Sequence, residues 1–356
     1  MSGFWDFRRV DNMEYCNIWD YKDKDYPFQL FLGGRGTGKT FSALSDPVLN
    51  KRPFIYMRRT LDELELLQDA NGAEGANPFR PINEAYHRNI GFCKINKKIS
   101  GIYNRVLDDD GKWKPEGQPI GWGVSLSTVA SIRGVDFSSA QDCIFDEFIP
   151  EKHVKRMKGE CDALLNAYET INRNREFKGL PPMGLYCLSN ASDIYNPVFV
   201  GLGIVSDVEK MIRRGQHDLY LKDRGLAVHL LAPSEEFLEA KSNTALAKLT
   251  RGSSFYKMAY ENDFSYNDFS YVKQHTLTGY VPICGIDTCY IWRKKGSREY
   301  YVTYAPAKVP FFHSKNDSDL RRFHSEFGIK LYNPYVQGRI SFESYELKAF
   351  LLDIIL

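Results

Sequence analysis

The chain has 356 residues, of which 43% are hydrophobic and 26% charged, and its formal net charge is only +2. That length accommodates one large α/β domain and a smaller second one, and the composition excludes a disordered or fibrous chain. The near-neutral balance excludes whole-molecule electrostatics as a route to nucleic acid, so any DNA contact must come from local patches or from a ring that gathers basic faces around a channel.

Cys16, Cys93, Cys143, Cys161, Cys187, Cys284 and Cys289 include no CxxC pair and are odd in number, which argues against zinc and a disulfide framework and for buried thiols in a reducing compartment. The N-terminus carries early charges and no apolar signal core. No run approaches the roughly 18 apolar residues of a membrane span, so no membrane role is expected.

Residues 28–32 read as a strand buried on both faces, a continuous run of apolar and β-forming side chains. The run leads into Gly33-Gly34-Arg35-Gly36-Thr37-Gly38-Lys39-Thr40, a G-x-x-x-x-G-K-[ST] loop, and then into a helical pattern from Phe41. Glycines there let successive backbone N–H groups turn toward an anion at a helix N-terminus. Lys39 would reach the β- and γ-phosphates of ATP, and Thr40 would give its hydroxyl to Mg²⁺. A Gly-rich turn of accidental spacing is the bland alternative, and the strand before and helix after weigh against it.

Residues 53–58 form the next strand, ending in the basic pair Arg58-Arg59 at an edge where open α/β sheets take ligands. Residues 69–81 read as a loop. Residues 91–95 and 99–106 read as a hairpin turning at Asn96-Lys97-Lys98, and 108–118 as a charged turn before a strand at 121–127. Residues 143–146 are an apolar strand tipped by Asp146 and Glu147. Asp146 suits Mg²⁺, and Glu147, one residue further out, suits orientation and deprotonation of water. Residues 161–172 have a helical pattern that runs into Asn172-Arg173-Asn174-Arg175-Glu176; these arginines either complement a helix C-terminus or supply an arginine finger to a neighbouring subunit. The strand at 185–188 ends in Ser189 and Asn190, which either couple hydrolysis to movement or simply form a turn. A strand at 226–231 completes a doubly wound, mostly parallel α/β sheet over 1–232.

Composition shifts after that. Residues 234–248 are helical in pattern behind a Ser N-cap, 255–268 are aromatic and polar, and 233–268 together read as a linker subdomain. Strands at 279–285, 288–294 and 299–305 and a helix at 342–352 make 269–356 a small α+β domain.

Taken together, FLGGRGTGKT, FIYMRR, GWGVSLS, CIFDEFIPEK, NRNRE and CLSNASDIYNPVF resemble the DNA-encapsidation ATPases of phi-29-type phages, in order and spacing, over roughly 31–199. The resemblance implies an additional-strand, conserved-glutamate (ASCE) P-loop ATPase with a vestigial ribonuclease-H-like C-terminal domain. It implies a ring of five copies on the portal (connector) of a viral prohead in the host cytoplasm, moving double-stranded DNA inward, with an RNA scaffold in phi-29-type phages. It implies ATP and Mg²⁺ at Gly33–Thr40 and Asp146, catalysis by Glu147 with Lys39, and a trans-acting role for Arg173. A second trans-acting lysine of the family has no counterpart in Thr60-Leu61-Asp62, which leaves the role vacant or passes it to Arg58 or Arg59. A DNA-gripping lysine aligns to Arg133.

Three rivals stand beside the motor. A P-loop nucleotide kinase would need an acceptor pocket in place of Glu147. A terminase with a working nuclease would need acidic partners for Asp287, and none is evident on the following strands. A nucleotide-gated scaffold sits poorly with the intact Asp-Glu pair. Arg293, Lys294, Lys295, Arg298, Arg321 and Arg322 form either a nucleic-acid surface or a solvated charged face.

Overall fold

The computed structural model describes residues 9–10, 13–68, 77–132, 134–150, 154, 157, 159–190, 193–253, 256 and 269–356. Arg133, most of 69–81 and nearly all of 255–268 therefore lie outside the described residues. The chain divides into two compact units, Met1–Ser192 with Asn196–Leu202 and Met211–Ser265, and Asp193–Tyr195 with Gly203–Lys210 and Tyr266–Leu356.

The first unit carries strands β1 (Arg9–Val10), β2 (Met13–Glu14), β3 (Phe28–Gly33), β4 (Phe54–Arg58), β5 (Ile90–Lys94), β6 (Ile99–Leu107), β7 (Trp113–Ser125), β8 (Asp142–Asp146), β9 (Gly184–Asn190), β10 (Asp218–Leu221) and β11 (Leu226–Leu231). Its helices are α1 (Lys39–Leu49), α2 (Leu61–Gln68), α3 (Arg80–Tyr86), α4 (Glu160–Asn172) and α5 (Pro197–Leu202); α6 (Val205–Arg213) straddles the boundary, and α7 (Glu235–Ser242) and α8 (Ala245–Thr250) follow β11.

Nine of these strands form one sheet in the order β10-β11-β3-β9-β8-β4-β7-β6-β5. The run from β11 to β7 is parallel and the two ends are antiparallel. β8 is buried along its whole length and β3 and β9 nearly so, which is why they read as unbroken apolar runs. A crossover places β9 between β3 and β8.

Three local expectations in this unit need correction. The charged turn expected at 108–118 is confined to 108–112; from Trp113 the chain is already strand, paired antiparallel as Leu107↔Trp113 and Val106↔Lys114. Its charges face solvent on an exposed ribbon, so polarity there marks exposure and not irregularity. Residues 80–81, expected as loop, open α3, where Pro81 is tolerated in the first turn. The single helix expected over 234–248 is two, because Thr244 accepts a hydrogen bond from the Ala247 N–H (3.3 Å) and starts α8 afresh.

The second unit carries β12 (Tyr280–Ile286), β13 (Cys289–Lys294), β14 (Tyr300–Thr303), β15 (Phe312–His313) and β16 (Ile340–Phe342), in the order β15-β12-β13-β14-β16, with helices α9 (Asp317–Val336) and α10 (Tyr345–Ile355). β12, β13 and β14 are an antiparallel meander; β15 lies parallel to β12 and β16 parallel to β14. The final helix, expected from 342, starts at Tyr345 because Ser344 caps it and residues 340–342 pair with β14. The 20-residue α9 is capped by Asn316, whose side chain accepts from the Ser318 and Asp319 N–H groups. Its apolar stripe, Phe323, Phe327 and Leu331, is buried in the core with Ile291, Val302 and Leu351.

Candidate active site

The phosphate loop follows β3 directly. Gly36 (φ 83°) and Gly38 (φ 88°) both lie in the left-handed region, where glycine carries no Cβ penalty. Space decides as well: a Cβ on Gly36 would meet the Phe237 ring at 2.9 Å, and one on Gly38 would meet Tyr15 at 2.7 Å. Lys39, in the first turn of α1, is buried and donates to the carbonyls of Gly33 (3.0 Å) and Gly34 (2.8 Å). Burial lowers its pKa to about 8, against the opposing influence of Cys16 and Asp146. The Cys16 N–H and thiol both reach the Thr37 carbonyl, at 3.1 and 2.9 Å, strapping the N-terminal segment to the loop.

β8 brings the acidic pair to the same place. The Thr40 hydroxyl donates to Asp146 Oδ1 at 3.1 Å, and the Tyr56 hydroxyl donates to Oδ2 at 2.9 Å. Burial raises the Asp146 pKa, and Arg58, 3.5 Å away, opposes it. Glu147 takes φ 56°, an uncommon conformation for a non-glycine residue, which breaks the strand alternation immediately after Asp146. Its carboxylate is more than half exposed and accepts from Arg58 Nη2 at 2.8 Å.

β9 completes the floor. Ser189 pairs in register with Leu32 and Asn190 with Gly33, so their side chains emerge level with the start of the phosphate loop. A cavity of about 730 Å³ is lined by Arg35, Gly36, Thr37, Gly38, Lys39, Thr40, Asp146, Glu147, Ser189 and Asn190, with Tyr15, Phe41 and three residues of α3 also on its wall. The fold thus brings together ten of the expected residues, with Gly33 and Gly34 holding Lys39 behind them. The Thr40 hydroxyl and Asp146 carboxylate stand side by side, a pair of hard oxygen donors of the kind Mg²⁺ takes alongside waters and substrate phosphates.

Arg173 is not on that wall. It caps the C-terminus of α4 in a left-handed conformation (φ 46°), with Nη1 3.4 Å from Asp136, in a separate depression shared with Glu169 and Phe177. The Arg58-Arg59 pair is split: Arg58 faces Asp146 and Glu147, whereas Arg59 is buried against Glu160. The sequence reading gave no site role to Tyr15, Cys16, Tyr56, Phe237 or Lys241. None belongs to a spaced motif, and only the N-cap signature at Ser234 points to the helix that delivers the last two.

Among solved structures, a chain of the bacteriophage Phi-29 viral genome packaging motor assembly superposes with a TM-score of 0.63 at 20% identity, covering 96% of this chain and 98% of that one. The Phi-28 gp11 DNA packaging motor superposes with a TM-score of 0.56, also at 20% identity, covering 96% of each chain. At that identity the likeness is one of fold. A DNA packaging protein of Bacillus phage B103 is 29% identical over 245 residues, 67% of this chain and 65% of that protein, so the match spans just under two thirds of the relative's length. The model of the Podovirus DNA encapsidation protein (Gp16) family matches residues 92–305, and the chain belongs to that family.

Proposed function

We propose that the chain is an ATPase that drives double-stranded DNA into a preformed prohead. One observation carries the enzymatic half: the Thr40 hydroxyl and Asp146 carboxylate, 106 residues apart in sequence, meet at 3.1 Å with Glu147 beside them. The position of β9 between the strand of the phosphate loop and the strand of the acidic pair supports the additional-strand, conserved-glutamate class. Family membership supports the DNA-packaging half.

In this reading the backbone N–H groups of Gly33–Thr40 and the Lys39 ammonium hold the triphosphate of ATP. Thr40 and Asp146 hold Mg²⁺, which neutralises phosphate charge when bound. Glu147 accepts the proton of the attacking water, and Arg58 orients or restrains that carboxylate. Ser189 and Asn190, beside the terminal phosphate, couple its loss to movement of the sheet. Copies form a ring of five at the prohead portal vertex in the host cytoplasm, with a scaffold RNA as a further partner, and Arg173 enters a neighbour's site. One of its contacts, with the exposed Asp136, is of a kind that contributes little net stability. Arg133 grips a DNA phosphate. The DNA-stimulated ATPase rate of the pure protein, alone and with proheads, tests this; a rate indifferent to both overturns it.

In the second unit the β14-β13-β12-β15 order, a meander with a parallel strand beside its first member, supports a ribonuclease-H-like ancestry. Among the described residues, none of the unit's five strands carries an Asp or Glu, and Asp287 sits at the β12–β13 turn with φ 53°. A two-metal nuclease needs converging carboxylates, so the unit binds nucleic acid or portal without cutting.

A further inference from the structure

Helix α7 places one face on the phosphate loop. Phe237 and Lys241, four residues apart and so on one side of the helix, both bear on Gly36. The Phe237 ring lies 2.9 Å and Lys241 Nζ 3.7 Å from the point a Gly36 Cβ would occupy. Lys241 Nζ sits 4.9 Å over the Phe237 ring centre, a cation–π contact that fixes its direction, and it donates to the Arg35 carbonyl. Ser234 caps α7 by accepting from the Phe237 N–H at 3.2 Å, which sets the helix start and hence the phase that aims both side chains at the loop.

Lys39 stands in a matching relationship to the same loop. Its ammonium rests on the carbonyls of Gly33 and Gly34, and the Lys241 ammonium rests on the next one, that of Arg35. Two ammonium groups thus hold three consecutive loop carbonyls. A phosphate oxygen is a stronger acceptor for either than a neutral carbonyl, because the ammonium then meets a full negative charge in place of a carbonyl dipole.

Building on the ATPase reading, we propose that Lys241 is a second phosphate-contacting lysine, supplied in cis by α7, which exchanges the Arg35 carbonyl for an oxygen at the β/γ end of the bound triphosphate. The exchange makes α7 the element whose hold on the loop depends on nucleotide state. It also gives Phe237 a defined part as the platform that keeps the ammonium directed at Gly36 when the carbonyl is released. Phe237 is therefore a positioning residue and Lys241 a binding one.

The test compares Lys241→Gln, Lys241→Ala and Lys241→Arg by titrating ATP into the full chain and recording the apo melting temperature of each. Glutamine can still donate to the Arg35 carbonyl but carries no charge. A lysine that merely props the loop would leave Lys241→Gln with wild-type affinity. A phosphate-contacting lysine predicts that Lys241→Gln and Lys241→Ala both lose about tenfold or more in ATP affinity, and that Lys241→Arg retains most of it. Should Lys241→Ala melt early, Lys241→Gln alone decides. Wild-type binding by Lys241→Gln, in a protein that does bind ATP, overturns the role of Lys241 and leaves the ATPase reading intact. A wild-type chain that binds no ATP overturns the ATPase reading itself.

Discussion

Arg58 and Glu147 meet across the tips of neighbouring strands, with Nη2 2.8 Å from Oε2. The same guanidinium lies 3.5 Å from Asp146, so Arg58 bridges both carboxylates of the acidic pair.

Replacing the carboxylate by an amide separates binding from chemistry. Glu147→Gln should bind ATP within a few-fold of wild type and lose roughly 10²- to 10⁴-fold in hydrolysis rate, the contribution of a positioned general base. Parallel ATP titration and phosphate-release assays check this. Retained hydrolysis would favour the kinase alternative.

Arg173 and Glu147 should complement one another between subunits. Arg173→Ala and Glu147→Gln are each expected to be nearly inactive. Mixed before assembly on proheads, they should recover part of the wild-type rate, because some interfaces then join an intact glutamate to an intact arginine. No recovery at any mixing ratio would place Arg173 outside the neighbour's site.

Arg59 is 2% exposed and its partner Glu160 is fully buried, with Nη2 3.2 Å from Oε2. Removing Glu160 leaves the buried Arg59 with a longer contact to Glu63, 3.6 Å from its Nη1, so Glu160→Ala should cost about 3 kcal/mol in unfolding free energy, the low end for a broken buried pair. The exposed Arg80–Glu84 pair on α3 is the control: Glu84→Ala should cost under about 1 kcal/mol. Urea denaturation measures both, and equal effects would refute the distinction.

His229 is buried in β11, stacked on Phe31, with Nδ1 2.7 Å from Asp218 Oδ1. Burial lowers its pKa, outweighing the Asp218 carboxylate. Between the lowered native value and the ordinary 6.5, the unfolded chain binds more protons than the folded one. Stability therefore rises with pH through that window and is lost as pH falls through it. Wild type should lose more stability than His229→Gln between pH 7.5 and 5, read from denaturation midpoints; parallel losses would remove His229 as the cause.

Local chemistry made much of this protein legible in sequence. Glycines at 36 and 38 before a lysine are readable because a loop of that kind needs left-handed backbone ahead of a helix. The central strands are readable because burial on both faces demands unbroken apolar runs. Asp146 and Glu147 are readable because an apolar strand ends in them. The tertiary fold alone decided which distant groups share the cavity. Arg58 and Arg59 look equivalent side by side and both reach Glu63, yet one also meets the acidic pair and the other the buried Glu160. Tyr56 reads as a core residue until β4 is set beside β8. Phe237 and Lys241 lie some two hundred residues from the loop they touch, a separation no local pattern spans. Helix α9 was missed because Gly328 and Pro334, both poor helix formers, lie inside it. Covalent neighbours set backbone conformation, whereas the partners of a side chain are set by the sheet order and by the helix that happens to cover the loop.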